Sequence, residues 1–242
     1  MKNVTVKPFG ERAVLVEWKP SIDEKTLAKV LQTKQHISNT FSEEILEIVS
    51  TYSALAIYLN YGSNVTQFID SLKKSLKNTS KKESVTRRKV YIPVCYNLEF
   101  APDLEEIAQQ KQLTTTQVIE IHTSPVYKVY FLGFLPGFPY LGGLDARLHT
   151  PRKKTPRERV ASGSVAIGGS QTGVYSTSSP GGWQIIGKTP IPFFSVGKPS
   201  PALLKAGDLI KFTSVSKEEF IALEHQISKD NYQIKKEEVR FA

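Results

Sequence analysis

Glycine and proline are crowded into one stretch of this 242-residue chain, and that crowding constrains the fold more than any other feature. Twelve of the 15 glycines lie between Gly133 and Gly197, and ten of the 14 prolines between Pro125 and Pro201. Glycine tolerates positive φ and close backbone approach, whereas proline fixes φ and withholds a donor. Together they imply many turns between short strands and argue against a helical domain there. The apolar stretches GSVAIGG, GVYST, WQIIGKT, IPFFSV and DLIKFTSV, each bounded by turn residues, predict a closed or nearly closed β-barrel.

The N-terminal part reads differently. VTVKPF and AVLVEW flank Gly10 as strands, and ILEIVSTYSALAIYLN alternates across a break near Thr51–Ser53, as a hairpin does. Asp23 or Ser21 can cap a helix through TLAKVLQTKQHI, with Leu27, Val30, Leu31 and Ile37 on one face. Asn64 can cap VTQFIDSLKKSLKN, with Val65, Phe68, Ile69, Leu72 and Leu76 inward. Two helices on one antiparallel sheet make a small α+β domain. Its one histidine, His36, is expected to be solvated. The expected boundaries are 1–85 for this domain and 86–242 for the barrel domain.

The barrel part opens with the strand KVYIPVCYN. Asp103 then begins a short helix in which Asp103, Glu105 and Glu106 complement the positive helix end. Thr114 or Thr115 caps TQVIEIHTS, where Val118, Ile119 and His122 recur at helical spacing; Val126–Phe134 follows as a strand. SKEEFIALEHQIS has a capping-box start in Ser216 and Glu219.

Several function classes fall away. Cys95 is the single cysteine, so neither a disulfide framework nor a CxxC site exists, and metal-ligand spacing is absent. No apolar run of ~18 residues occurs, so a soluble, cytoplasmic protein without membrane partners is expected. The net charge of +9 invites a nucleic-acid reading. Much of the excess, however, is one run: Lys73, Lys74, Lys77, Lys81, Lys82, Arg87, Arg88 and Lys89. That run reads as a solvated helix end entering an interdomain linker.

Three segments concentrate the chemistry. In GFLPGFPYLGGL, the rings of Phe134, Phe138 and Tyr140 alternate with Pro136, Gly137 and Pro139. Rings on a stiff backbone suit a recognition surface, or alternatively plug the barrel mouth. The second segment carries Arg152 and Arg157, each after a proline, with Lys153, Lys154 and Arg159. A guanidinium matches a carboxylate or phosphate bidentately, although a solvated basic loop has the same composition. The third offers Gln171, Thr172, Tyr175 and Ser179 as polar lining beside Pro180, Gly181, Gly182 and Trp183, where paired glycines can expose amides to an anion. His149 precedes Thr150-Pro151-Arg152 and is a candidate to reach the same pocket. No catalytic triad can be assembled, and GGSQTG lacks the lysine of a nucleotide-phosphate loop.

These residues resemble a known family. Gly133-Phe134-x-Pro136-Gly137-Phe138-x-Tyr140-Leu141, Pro151-Arg152, Pro156-Arg157, Gln171-Thr172-Gly173-x-Tyr175 and Ser179-Pro180-Gly181-Gly182-Trp183 are similar to the allophanate hydrolase subunit 1 domain. In chains of this length that is the family of 5-oxoprolinase B subunits and sporulation kinase A inhibitors. One departure is Ser176, where the family pattern has proline. The resemblance implies a cyclophilin-like β-barrel after the α+β domain. It also implies ATP-dependent opening of 5-oxo-L-proline to L-glutamate with subunits A and C, ATP being used by the complex. A second implied role is inhibition of a sensor histidine kinase. For the hydrolase, an arginine such as Arg152 or Arg157 would hold the substrate carboxylate, with His149 as a further catalytic candidate.

Overall fold

The computed structural model describes residues 4–77 and 85–241, so Lys81 and Lys82 of the basic run lie outside the described residues. The chain divides into two compact units between Ser84 and Val85.

In the first unit, β1 (Val4–Pro8), β2 (Ala13–Trp18), α1 (Glu24–Thr40), β3 (Ile45–Ser50), β4 (Ala54–Leu59) and α2 (Val65–Lys77) follow in order. The strands form an antiparallel sheet in the order β1-β2-β4-β3. Its inner face, carrying Val14, Val16, Leu55, Ile57 and Leu59, packs in one core with Val30 and Ile37 of α1 and Phe68, Ile69 and Leu72 of α2. Asp23 caps α1 by accepting the Thr26 N–H at 2.9 Å. Two expectations change. Thr33, not Leu31, occupies the buried stripe of α1, because 3.6-residue periodicity leaves Leu31 at its half-buried edge. His36 is not simply solvated, since its Nε2 lies 2.6 Å from Ser75 Oγ on α2.

The second unit runs β5 (Val85–Cys95), α3 (Leu104–Lys111), α4 (Thr115–Thr123), β6 (Tyr127–Leu132), β7 (Pro139–Gly142), β8 (Arg157–Val160), β9 (Ser164–Gly168), β10 (Gln171–Val174), β11 (Ser179–Gly181), β12 (Gln184–Lys188), β13 (Leu209–Val215), α5 (Lys217–Ser228) and β14 (Lys236–Phe241). Seven of these strands close a ring, β5-β13-β6-β7-β10-β9-β12, sealed where β12 meets β5 at Lys188 and Cys95. The long β5 serves two neighbours on one edge: β14 pairs with its first half, leaving Cys95 for β12. Among the described residues no helix is long and apolar enough to cross a membrane.

Departures from the sequence reading have local causes. IPFFSV is not a strand: Pro190 and Pro192 withhold ladder donors, and Phe194 makes only one bridge, to Ala202. Its Ile191 and Phe193 still enter the core. The strand expected to reach Phe134 stops at Leu132, since Phe134 takes a left-handed φ of 68°. On α4, Val118 and His122 are buried as their spacing suggests, and Ile121 joins them while Ile119 is half-buried. The last basic residues of the supposed linker run belong to β5, where Arg88 is ion-paired to buried Asp208. A further ribbon, β8 with β11, was not legible as strand.

Candidate functional site

Alternation along the barrel strands creates the site. Val165 and Ile167 of β9, Ile186 of β12 and Val174 of β10 point into the barrel core. Their neighbours Ala166, Ile185 and Tyr175 face the other way and form a second cluster with Phe138, Val160 and Trp183. The Gly/Pro-rich segments thus build an aromatic site outside the barrel wall rather than a plug in its mouth.

Phe138 is the centre of this cluster. Its ring lies 5.1 Å from Tyr140, 5.4 Å from Tyr175 and 5.5 Å from Trp183, in tilted or edge-on contacts. Glycine permits the close approach: a Cβ on Gly168 would enter the Trp183 indole, and one on Gly181 would strike the Tyr175 hydroxyl. Burial pushes the Tyr175 phenol up, against the Trp183 backbone N–H and the nearby Arg152 and Arg157 charges, which pull it down. The result is a cleft of about 230 Å³ lined by these rings and by Arg152, Pro156, Pro180, Gly181 and Gly182, with Phe134 at its edge. Phe134 is 63% exposed. The Arg152 guanidinium lies 5.7 Å from the Trp183 ring centroid, and among the described residues no carboxylate pairs with it.

Other candidates are placed elsewhere. Arg157 turns from the cleft to buried Asp103, donating from Nη2 to Oδ1 at 2.5 Å. Lys153 joins the same oxygen at 2.9 Å, and Oδ2 accepts the Ile185 N–H at 2.6 Å. Burial raises the Asp103 carboxyl, but these three bonds outweigh it and hold the group below the usual carboxylate range. Asp103 stands at the N-cap of α3 as expected, but its side chain makes no capping bond there; instead it clamps α3, β8 and β12 together. His149 does not line the cleft, and its Nε2 lies 3.1 Å from Leu144 O. Pro136 and Gly137 shape the turn below Phe134, with Gly137 packed on Phe193 and Phe194. Ser179 and Gln171 also lie outside the lining. Ser176 is buried, and its carbonyl accepts the Ser162 hydroxyl at 2.9 Å.

Thr172 points into the barrel, where it completes a network invisible in the sequence. Its hydroxyl donates to Ala166 O, so Thr172 Oγ1 must accept from His122 Nε2–H at 2.9 Å. His122 Nδ1 then accepts the Tyr96 hydroxyl at 2.8 Å, which fixes a neutral tautomer. Burial lowers the His122 pKa from 6.5 to about 3. In the unfolded chain this histidine takes up a proton as pH falls through 6.5, while the folded protein resists until about 3. Stability is therefore lost on acidification across that window, with about 2 kcal/mol from this group between pH 7 and 5. Urea midpoints of the protein and of His122→Asn should converge by that amount as pH falls.

The site and the barrel together define a class. The chain belongs to the carboxyltransferase domain family, subdomains C and D, whose profile matches residues 4–204. Its relatives include the B subunit of 5-oxoprolinase from Bacillus subtilis (strain 168), 38% identical over an alignment that covers 91% of this chain and 97% of that one. The solved structure of TTHA0988 superposes with a TM-score of 0.74 at 30% identity, over 85% of this chain and 40% of that chain. Kluyveromyces lactis urea carboxylase shares the fold, with a TM-score of 0.80 at 21% identity, over 98% of this chain and 24% of the other.

Proposed function

We propose that this chain is the B subunit of a cytoplasmic ATP-dependent 5-oxoprolinase, acting with subunits A and C to convert 5-oxo-L-proline to L-glutamate. The observation carrying this reading is the aromatic cleft with unpaired Arg152 at its wall. Its size suits one small ring, its faces suit an apolar pyrrolidone, and Arg152 suits that molecule's carboxylate. The relative in Bacillus subtilis, matched over nearly its whole length, supports the same assignment. The cyclophilin-like barrel implied by the resemblance is the platform.

ATP is used by the complex, and GGSQTG in this chain is not a nucleotide-phosphate loop. Gly169 and Ser170 form the tight turn between β9 and β10, with Gly169 at a φ of 66°, and not a strand-to-helix phosphate loop. Docking on a sensor histidine kinase would use the same aromatic and arginine surface, exposed Phe134 included, and the small cleft favours a ring over a helical bundle.

Reconstitution from purified subunits tests the reading. Glutamate release from 5-oxo-L-proline and ATP should require all three chains. Full activity without this one would overturn the proposal.

A further inference from the structure

A second cleft, of about 430 Å³, adjoins the aromatic one and shares Arg152 with it. It is polar and lined by Pro151, Lys153, Lys154, Glu106 and Gln184. Lys153 is engaged by Asp103 and Glu106, at 2.9 and 3.2 Å. Arg152 and Lys154 have no carboxylate partner among the described residues, so the unbalanced charge of the cleft is positive.

Gln184 gives this basic cleft an unusual requirement. The residue is only 7% exposed, its Nε2 donates to Pro151 O at 3.1 Å, and its Oε1 is buried without a partner. The Pro151 carbonyl decides which end of the amide is the nitrogen, so the free end is an acceptor. Two cations attract an oxyanion, yet a bare oxyanion offers Gln184 Oε1 nothing but a second lone pair. The need is met by an oxyanion that keeps a proton at neutral pH.

We propose that this cleft binds a small protonated oxyanion, hydrogen phosphate being the form whose two negative charges match Arg152 and Lys154, with the anion's O–H donated to Gln184 Oε1. Bicarbonate likewise keeps a proton to give, but carries one negative charge where hydrogen phosphate carries two. Sulfate has the size and charge of hydrogen phosphate but no proton to give, and so it leaves the buried acceptor unpaired. A buried acceptor left unpaired should cost sulfate about tenfold in affinity. The site goes beyond the 5-oxoprolinase reading and makes no use of a nucleotide.

Isothermal titration of the full chain with inorganic phosphate, bicarbonate and sulfate at neutral pH and matched ionic strength tests the proposal. Phosphate should bind at least about tenfold tighter than sulfate, and the comparison with bicarbonate identifies which protonated oxyanion is preferred. Lys154→Ala should weaken phosphate and sulfate together, whereas Gln184→Met should bring their ratio close to one. Sulfate binding as tightly as phosphate to the unaltered protein, or absence of binding by both phosphate and bicarbonate, would overturn it. Titration with 5-oxo-L-proline in parallel separates the two readings: its failure with phosphate binding intact counts against the aromatic cleft alone.

Discussion

Replacing Asp103 with alanine is expected to destabilise the second unit by about 3 kcal/mol, the lower end of the range for removing one partner of a buried ion pair. The carboxylate is 2% exposed and serves Arg157, Lys153 and the Ile185 N–H at once. Removing it strands the Ile185 N–H and the Arg157 guanidinium and leaves Lys153 with Glu106 alone; both cations are partly exposed and can be rehydrated. That partial access sets the lower end. Asp103→Asn keeps an acceptor for Ile185 and should cost less, while Glu106→Ala, a solvated partner of Lys153, should cost under about 0.5 kcal/mol. Urea midpoints at pH 7 rank the three. Because its bonds hold the folded-state pKa of Asp103 below the usual value, its contribution is present at neutral pH and lost as acid protonates the group. Arg157→Ala should follow Asp103→Ala in losing stability, so Arg157 is a poor choice for isolating a turnover defect.

The sequence reading succeeds where a local rule dominates. Alternation in AVLVEW and ALAIYL, the stripe of α2, and the Ser216–Glu219 capping box each depend on residues a few positions apart. The cleft's residues were legible segment by segment, though not the β10–β7 pairing that brings the segments together. Phe134, Phe138, Tyr140, Tyr175 and Trp183 stand among glycines and prolines, a combination that already restricts how the backbone can run. What stayed hidden depends on distant pairings. Asp103 looks like an ordinary helix-end charge until Arg157, 54 positions away, closes on it. His122 looks like a helix residue until Tyr96 and Thr172 meet it from opposite sides. The ribbon of β8 and β11 joins a basic segment to Ser-Pro-Gly, neither of which reads as strand alone. Gln184 carried no signal, because an orphaned acceptor is a property of packing.

Trp183→Ala should remove the cleft's principal wall and cost about 3–5 kcal/mol in stability, as for other buried aromatic truncations. The indole is 5% exposed and touches Phe138 and Tyr140 edge-on, and Gly168 and Gly173 are small where it lies. A stability loss of that size would reduce ligand binding whatever the site did, so this variant cannot by itself separate recognition from packing. Arg152→Ala can. Its side chain is exposed and unpaired, so its urea midpoint should stay within about 0.5 kcal/mol of the unaltered protein. Its affinity for 5-oxo-L-proline should still fall at least about tenfold, the scale of one lost charge-assisted hydrogen bond. Gly168→Ala completes the comparison by pushing the indole from its seat without deleting it, and should impair both stability and binding. Unchanged affinity in Arg152→Ala would remove the guanidinium from substrate recognition and leave the aromatic wall alone to account for it.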